Sequence, residues 1–474
     1  MKRWGCMCLV VLLLWLAGCR AQESRPAVSP AGQTASYPSA GVTLPSKKGG
    51  GGPTPTKTTR AGTSSAQTQA SRQAAGSFGQ PATAGDATGS GTASTTTAST
   101  ATAAPEQALP SSETELRGVW ITYSELDALL KGKTPEQAGK AIDDMMKNCA
   151  SYGLNTVFFH VRANSDAYYA STLFPAAESV EKLLGQGFDP LERAVAAAHR
   201  YDLELHAWIN PYRIGKDASR RQCDKTFSYQ EIHYYIPHEP KVQQLVVDGV
   251  KEVVEGYDVD GVQFDDYFYP AGSLPGNAPA SFEKAAYTAW KKEAGNQDKS
   301  VGDWRRSGVD SLIREVYQTV HARPGCVFGV SPSHDAEKNR EQMYADTAGW
   351  MNRTGMVDYL CPQVYFGFEN ETAPFHKTVE IWREYPRRPS VKLYVGLALY
   401  KIGQEDEYAG SGRDEWQTHD SIMARSVNWL RTRKDCSGFV FFSYRYFTPA
   451  ACGLAGQAEK TAQKEVEQVL ALMR

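Results

Sequence analysis

From residue 113 to the end of the chain, short apolar runs alternate with helical segments. Each run is seven to nine residues long and rich in β-branched and aromatic side chains, which is typical of buried strands. The runs that predict strands are residues 116–123, 156–162, 204–211, 261–268, 327–333, 357–365, 393–400 and 438–444. Eight strand–helix units predict one domain, a (β/α)8 barrel over residues 113–474. A doubly wound open sheet is less favoured, because no glycine-rich phosphate loop follows a strand.

The helices between the strands begin and end at recognisable signals. In "TPEQ", Thr134 is predicted as the N-cap and Gln137 as the third residue of a capping box, and "DPLE" repeats the pattern with Asp189 and Glu192. Gly153 follows the first of these helices, where a glycine commonly ends a helix.

Polar side chains collect at the carboxyl ends of six predicted strands. Alternation along each strand predicts that His160 and Arg162 share one face, as do His206, Trp208 and Asn210. Since the opposite faces are apolar, we expect these side chains to point into the mouth of the barrel. The other strand ends carry Asp265 and Asp266, then Ser331, Ser333 and His334, then Gln363 and Tyr365, then Ser443 and Tyr444.

The fourth run, "GVQFDDYFYP", ends in two adjacent carboxylates, Asp265 and Asp266. One interpretation gives one aspartate a helix cap and the other an ion pair. In the other interpretation, each carboxylate raises the pKa of its neighbour, so that one holds a proton near neutral pH. Glycoside hydrolysis requires such a difference between two acids. Aromatic residues favour a sugar ligand, because rings stack on sugar faces; they include Tyr212, Tyr267 and Tyr365.

The first residues predict an exported protein. A basic start, a short apolar run and the tetrad that ends at Cys19 resemble a lipoprotein signal with a lipidated cysteine, over residues 1–19. Residues 20–112 are rich in Ser, Thr, Ala, Gly and Pro, so we expect a disordered tether. The predicted location is a bacterial cell envelope, with a lipid anchor in a membrane.

The distribution of charge and the spacing of cysteines and histidines argue against several classes of partner and cofactor. Residues 1–112 carry nine Lys and Arg against three Asp and Glu, whereas the rest carries 42 against 50. An acidic working domain argues against nucleic acid as a partner. The cysteines and histidines show no metal-ligand spacing, and the sequence shows no sign of a nucleotide or organic cofactor. The oligomeric state stays open.

The motifs "LRGVWIT", "VRANSDAYYAS", "DPLERAVAAAHRYDLELHAWINPYR", "DGVQFDDYFYP" and "CPQVYF" resemble the glycosyl hydrolase-like family 10 domain of bacterial envelope lipoproteins, over about residues 115–445. The resemblance implies a (β/α)8 barrel and glycosidase activity, in relatives that cleave peptidoglycan strands and prefer those denuded of stem peptides. Two residues depart from the family pattern, Gln263 where histidine is frequent and His160 where glutamine is frequent, which leaves the fine specificity open.

The acid pair also resembles that of β-N-acetylglucosaminidases that use substrate assistance. On that resemblance, Asp265 would orient the 2-acetamido group of the substrate and Asp266 would be the general acid and base. The reverse assignment, or a nucleophile from another strand, stays open. Arg162 and Arg213 are hypothesised to bind the lactyl carboxylate of muramic acid; Arg162 could instead neutralise the acids. The alternative functions are hydrolysis of another exported or host glycan, and glycan binding by a non-catalytic lipoprotein.

Overall fold

The computed structural model describes residues 115–474, in which eight parallel strands close into a barrel. The barrel strands are β1 (Leu116–Ile121), β2 (Thr156–Arg162), β3 (Glu204–Ile209), β7 (Gly261–Phe264), β8 (Val327–Val330), β9 (Tyr359–Leu360), β10 (Lys392–Leu397) and β11 (Gly438–Phe442). They follow one another around the barrel in chain order, and β11 closes it against β1. All eight predicted strands are therefore found at their predicted runs, although several of them, including β7, β8 and β9, end earlier than predicted.

Helices lie between the barrel strands and cover the barrel from outside. They are α1 (Tyr123–Leu130), α2 (Pro135–Ser151), α3 (Glu181–Gly185), α4 (Pro190–Arg200), α5 (Pro240–Gly256), α6 (Lys284–Trp290), α7 (Val301–His321), α8 (Ala336–Gln342), α9 (Thr347–Asn352), α10 (Phe375–Glu384), α11 (Glu415–Thr418), α12 (Ile422–Arg431) and α13 (Gly456–Met473). The (β/α)8 barrel predicted from the sequence is confirmed.

The predicted helix ends follow from local hydrogen bonding. Thr134 and Gln137 form a reciprocal capping box at the start of α2, and Gly153 follows this helix with a φ of 79°. Asp189 caps α4 by accepting from the backbone N–H groups of Leu191 and Glu192. The second capping box is incomplete, because the Glu192 side chain does not return to the N-cap.

The interior of the barrel is filled by aromatic rings that face glycines. A Cβ atom on Gly118 would lie 2.8 Å from the Phe158 ring, and one on Gly261 would lie 2.7 Å from the His206 ring. Such contacts are closer than van der Waals packing allows, so these positions accept only glycine. The filled interior leaves the carboxyl-terminal ends of the strands as the place for a site.

An insertion between β3 and α5 adds a second, smaller sheet that the strand prediction did not include. It consists of β4 (Arg213–Gly215), β5 (Thr226–Tyr229) and β6 (Ile232–Tyr235), paired antiparallel in the order β4–β6–β5. Because β4 begins four residues after β3 ends, this small sheet lies at the carboxyl-terminal end of the barrel.

The predicted signal sequence, the lipidation site at Cys19 and the tether lie outside the residues that the structure describes. Within residues 115–474, no helix has both the length and the apolar character that crossing a membrane requires. The six cysteines in this range are unpaired thiols.

Candidate active site

The acid pair lies where β7 ends, at the carboxyl-terminal mouth of the barrel. β7 ends at Phe264, and Asp265 and Asp266 follow directly. Both are buried, with 2% of Asp265 and 9% of Asp266 exposed, so Asp266 is the more accessible of the two. Asp265 accepts hydrogen bonds from the indole Nε1–H of Trp208 at 3.3 Å and from the backbone N–H of Tyr267 at 3.0 Å. These two donors fix the orientation of its carboxylate.

Burial gives both carboxyl groups pKa values above the usual range. The pKa of Asp265 is raised well above its ordinary value, first by burial and then by the charge of Asp266. Burial raises the pKa of Asp266 to about 6, against the opposing effect of a hydrogen bond from Gln363. Because ionisation of one carboxyl group opposes ionisation of the other, the pair retains a proton closer to neutral pH than a solvated aspartate does.

Behind Trp208, two side chains of the predicted polar set hold the indole in place. The ring of His160 stacks on the ring of Trp208, with a centroid distance of 3.6 Å. Asn210 Oδ1 lies 3.3 Å from His160 Nε2, and its Nδ2 donates to the carbonyl of Ala163 at 2.8 Å. Burial lowers the pKa of His160 well below its usual range, so the imidazole is neutral. The structure therefore brings His160, Trp208 and Asn210 together beside Asp265, on the face predicted from the sequence.

Below and opposite the acids, the interior is polar and aromatic. Gln263 accepts a hydrogen bond from the indole N–H of Trp120 at 3.2 Å. Gln363 donates to the carbonyl of Ser331 at 3.0 Å and also bonds Asp266. Tyr365 is buried against Phe442. Its pKa is raised first by burial, then by Tyr400 and Cys361, and after these by Asp266 and Asp265. Gln363 and Tyr365 thus lie next to the acid pair, as predicted.

The small sheet supplies one wall of a pocket beside Asp266. Tyr229 and Tyr234 line this pocket together with Asp266, Tyr267 and Met343. These tyrosines were not identified from the sequence. The signal was the clustering of aromatic residues in "FSYQEIHYY", which alternates too irregularly to predict a paired strand.

Arg162 does not point into the mouth, and its predicted position was wrong. The pairing of β2 with β3 shifts between His160 and Arg162, which is a β-bulge at Val161. The bulge turns the Arg162 side chain to the outer face, where its guanidinium lies over the ring of Phe174, 4.3 Å from the centroid, and against Gly249 of α5. Arg162 therefore neither lines the sugar site nor neutralises the acids.

Two further residues predicted to bind substrate lie away from the acids. His206 faces the barrel interior but two residues nearer the strand's start than Trp208, where its Nδ1 lies 2.9 Å from the hydroxyl of Tyr359. Tyr212 is fully buried, and its pKa is raised by burial and then by the charge of Glu315 on the outer helix α7. His206 is thus a core residue, and Tyr212 packs toward the helices.

A third carboxylate at the same end of the barrel was missed by sequence reasoning. Glu125 accepts from the backbone N–H and the hydroxyl of Thr122 at 2.6 and 2.8 Å. It also accepts from the hydroxyl of Ser443 at 2.8 Å and from the backbone N–H of Arg445 at 2.7 Å. With four donors, this side chain joins the ends of β1 and β11 and has little capacity for another partner. Within residues 115–474, no cluster of His, Cys, Asp and Glu is arranged to hold a metal ion.

Comparison with known proteins identifies the family. The glycosyl hydrolase-like 10 model matches residues 115–410, which contain the acid pair and seven of the barrel strands. The chain belongs to this family. It is 30% identical over 340 residues to glycosyl hydrolase YngK of Bacillus subtilis (strain 168), covering 64% of each chain, so the match spans less than two thirds of that relative. It is 31% identical over 382 residues to glycosyl hydrolase DigH of Escherichia coli (strain K12), covering 71% of this chain and 84% of DigH.

Solved structures resemble this glycosyl hydrolase-like 10 member more distantly. The PgaB (BpsB) glycoside hydrolase domain from Bordetella bronchiseptica matches with a TM-score of 0.49 and 13% identity, over 71% of this chain and 97% of that domain. Alpha-L-fucosidase isoenzyme 2 from Paenibacillus thiaminolyticus matches with a TM-score of 0.46 and 13% identity, over 75% of this chain and 49% of the fucosidase.

Proposed function

We propose that this protein is a glycoside hydrolase of the bacterial cell envelope that cleaves N-acetylhexosamine glycan. The proposed substrate is the peptidoglycan strand, in the form from which stem peptides have been removed. The observation that carries the proposal is the acid pair: two adjacent buried carboxyl groups with raised pKa values at the mouth of a (β/α)8 barrel. Membership of the glycosyl hydrolase-like 10 family and the aromatic pocket beside Asp266 support the choice of a glycan.

In the mechanism that we propose, the substrate's own 2-acetamido group is the nucleophile. Asp265 accepts the acetamido N–H while the acetamido oxygen attacks the anomeric carbon and the glycosidic bond breaks. Asp266 donates its proton to the leaving oxygen and then removes a proton from the water that opens the cyclic intermediate. This scheme uses two adjacent carboxylates, and needs no second carboxylate on the opposite side of the sugar ring.

The surroundings of each acid support this division of roles. Asp265 is held by Trp208 and Tyr267 in one orientation, which suits a group that positions its partner. Asp266 is the more exposed and lines the pocket, so it is the carboxyl group that can reach the leaving oxygen and exchange its proton with water.

The envelope location is part of the proposal. A lipid on Cys19 and a tether over residues 20–112 would hold the barrel near a membrane while leaving it free to reach the wall.

A leaving-group comparison tests the roles. Asp266→Asn should lower the rate on glycan by about 10²–10⁴-fold, because general acid catalysis contributes that much, and by less on a dinitrophenyl N-acetylglucosaminide, whose leaving group needs no proton. Asp265→Asn should slow both substrates alike. Asp217→Asn, at an exposed residue of the insertion, is the control. An equal loss on both substrates for Asp266→Asn would show that Asp266 is not the acid.

A further inference from the structure

Arg213 lies close enough to Asp265 for its charge to act on the pKa of that carboxyl group. It begins β4, pairs in register with Tyr234, and is only partly exposed. Within residues 115–474, no carboxylate lies within 4 Å of its guanidinium, and this group donates no hydrogen bond to the protein. By contrast, the buried Arg305 bonds Glu283 at 2.9 Å and several carbonyl and hydroxyl oxygens.

The guanidinium lies beside aromatic residues that line the pocket at Asp266. The guanidinium carbon Cζ of Arg213 lies 5.3 Å from the centroid of the Tyr267 ring. The backbone N–H of Tyr267 in turn donates a hydrogen bond to Asp265. The rings of Tyr234 and Tyr267 line the pocket at Asp266. Arg213 therefore stands at the edge of the site in which the proposed mechanism binds the sugar.

A guanidinium whose N–H donors have no acceptor among residues 115–474 favours an anionic ligand. Its donors are arranged as a fork that matches a carboxylate in two parallel hydrogen bonds, and such bonds are stronger than those to neutral hydroxyls. The Tyr267 ring and the charge of Asp265 offset part of the cost of burying Arg213, and a ligand carboxylate would supply acceptors for its N–H donors. A ligand that fits these donors carries a carboxylate close to the sugar ring that Asp265 and Asp266 act on.

We propose that Arg213 binds the free lactyl carboxylate of a muramic acid residue, so that it selects glycan strands without stem peptides by charge. This inference rests on the proposed function. A stem peptide converts the lactyl carboxylate into a neutral amide, which removes the charge as well as adding bulk. Selection of peptide-free strands would then be a property of one cation, in addition to any steric exclusion by the walls of the cleft.

The test separates charge from bulk. Peptide-free glycan is prepared in two forms, with free lactyl carboxylates and with these groups converted to primary amides, which are neutral but no bulkier. The full chain is compared with Arg213→Gln, with Arg213→Lys, and with Lys216→Gln, a control that removes a positive charge three residues away where the side chain is 77% exposed. Thermal melting establishes that each variant is folded.

We expect amidation to slow the unmodified protein by about 10- to 100-fold, the range that a charge-assisted hydrogen bond supports. The ratio of the rate on carboxylate glycan to the rate on amidated glycan should fall to near one in Arg213→Gln. Arg213→Lys should keep part of the preference for the carboxylate form, and Lys216→Gln should keep all of it. The outcome that overturns the inference is an unchanged rate ratio in Arg213→Gln. If that variant slows both glycans by one factor, Arg213 instead acts through Asp265, whose pKa its charge lowers.

Failure of the proposed function would be distinguishable. If the unmodified protein cleaves neither glycan, the dissociation constants of the two forms still test Arg213. Tighter binding of the carboxylate form, lost in Arg213→Gln, would support the subsite without catalysis. Equal binding of both forms would exclude it.

Discussion

At the scale of single residues, the buried carboxyl groups of Asp265 and Asp266 lower the stability of the fold at neutral pH. Asp265 and Asp266 are neighbours in a buried position, and the donors to Asp265 are one indole and one backbone N–H rather than a cation. Ionising carboxyl groups there is unfavourable, which is why their pKa values are raised. The same feature that allows a proton to be retained near neutral pH therefore lowers the free energy of unfolding at that pH.

Asp266→Asn should stabilise the protein at neutral pH. The pKa of Asp266 is about 6 in the folded chain and close to 4 when unfolded, so between these values the native state binds more protons. Its stabilising contribution is complete below about pH 4 and is lost as the pH rises through about 6. The variant should gain on the order of 2 kcal/mol over the unmodified protein at about pH 7.5 and nothing at about pH 4. Urea unfolding at a series of pH values measures this difference.

A carboxylate with a lowered pKa provides the opposite control. The hydrogen bond from Ser300, at the start of α7, contributes most to lowering the pKa of Asp303 to about 2. Its stabilising contribution is present above the unfolded pKa and is lost as the pH falls toward 2. Asp303→Asn should therefore lose stability at about pH 7.5. A stability gain of Asp266→Asn that is the same at both ends of the pH range would contradict the assignment of a raised pKa.

At the scale of elements, one bulge decides what reaches the site. The run "TVFFHVR" contains no glycine or proline, so nothing in it indicates that the pairing shifts at Val161. Before the bulge, the prediction for His160 is correct, because simple alternation holds there. After the bulge, Arg162 takes the opposite face from the one predicted. Its guanidinium then packs against Phe174 and Gly249 of α5, where burial lowers its pKa.

Gly249→Ala should destabilise the fold because Arg162 occupies the outer face. A Cβ at this position would meet the Arg162 guanidinium and lie 2.8 Å from the Phe174 ring. We expect a net loss of about 1–2 kcal/mol, since overpacking outweighs the better helix propensity of alanine. Gly256→Ala, in the same helix with nothing within 4 Å of the new Cβ, should change stability by less than about 0.5 kcal/mol. Urea unfolding compares the two; equal effects would place Arg162 elsewhere.

At the scale of the whole molecule, the barrel could be predicted from the sequence, but the small sheet beside the acid pair could not. Eight apolar runs and the caps at Thr134 and Asp189 encode the barrel locally, because each strand and helix carries its own periodicity and end signals. The acid pair could be predicted because strand ends of a barrel meet at one face. The small sheet that brings Arg213 and Tyr234 to the site depends instead on contacts between distant segments, for which a single sequence contains little signal.

The central claim is that the acid pair hydrolyses peptidoglycan strands, and one measurement tests it most directly. The full chain is incubated with intact peptidoglycan and with amidase-treated, peptide-free glycan, beside the double variant Asp265→Asn/Asp266→Asn, and the products are read by mass spectrometry. We predict soluble fragments with a new reducing end from the peptide-free strands and none with the variant. No fragments from either polymer, with equal retention of glycan by the unmodified and variant proteins, would contradict the claim and leave a glycan-binding protein.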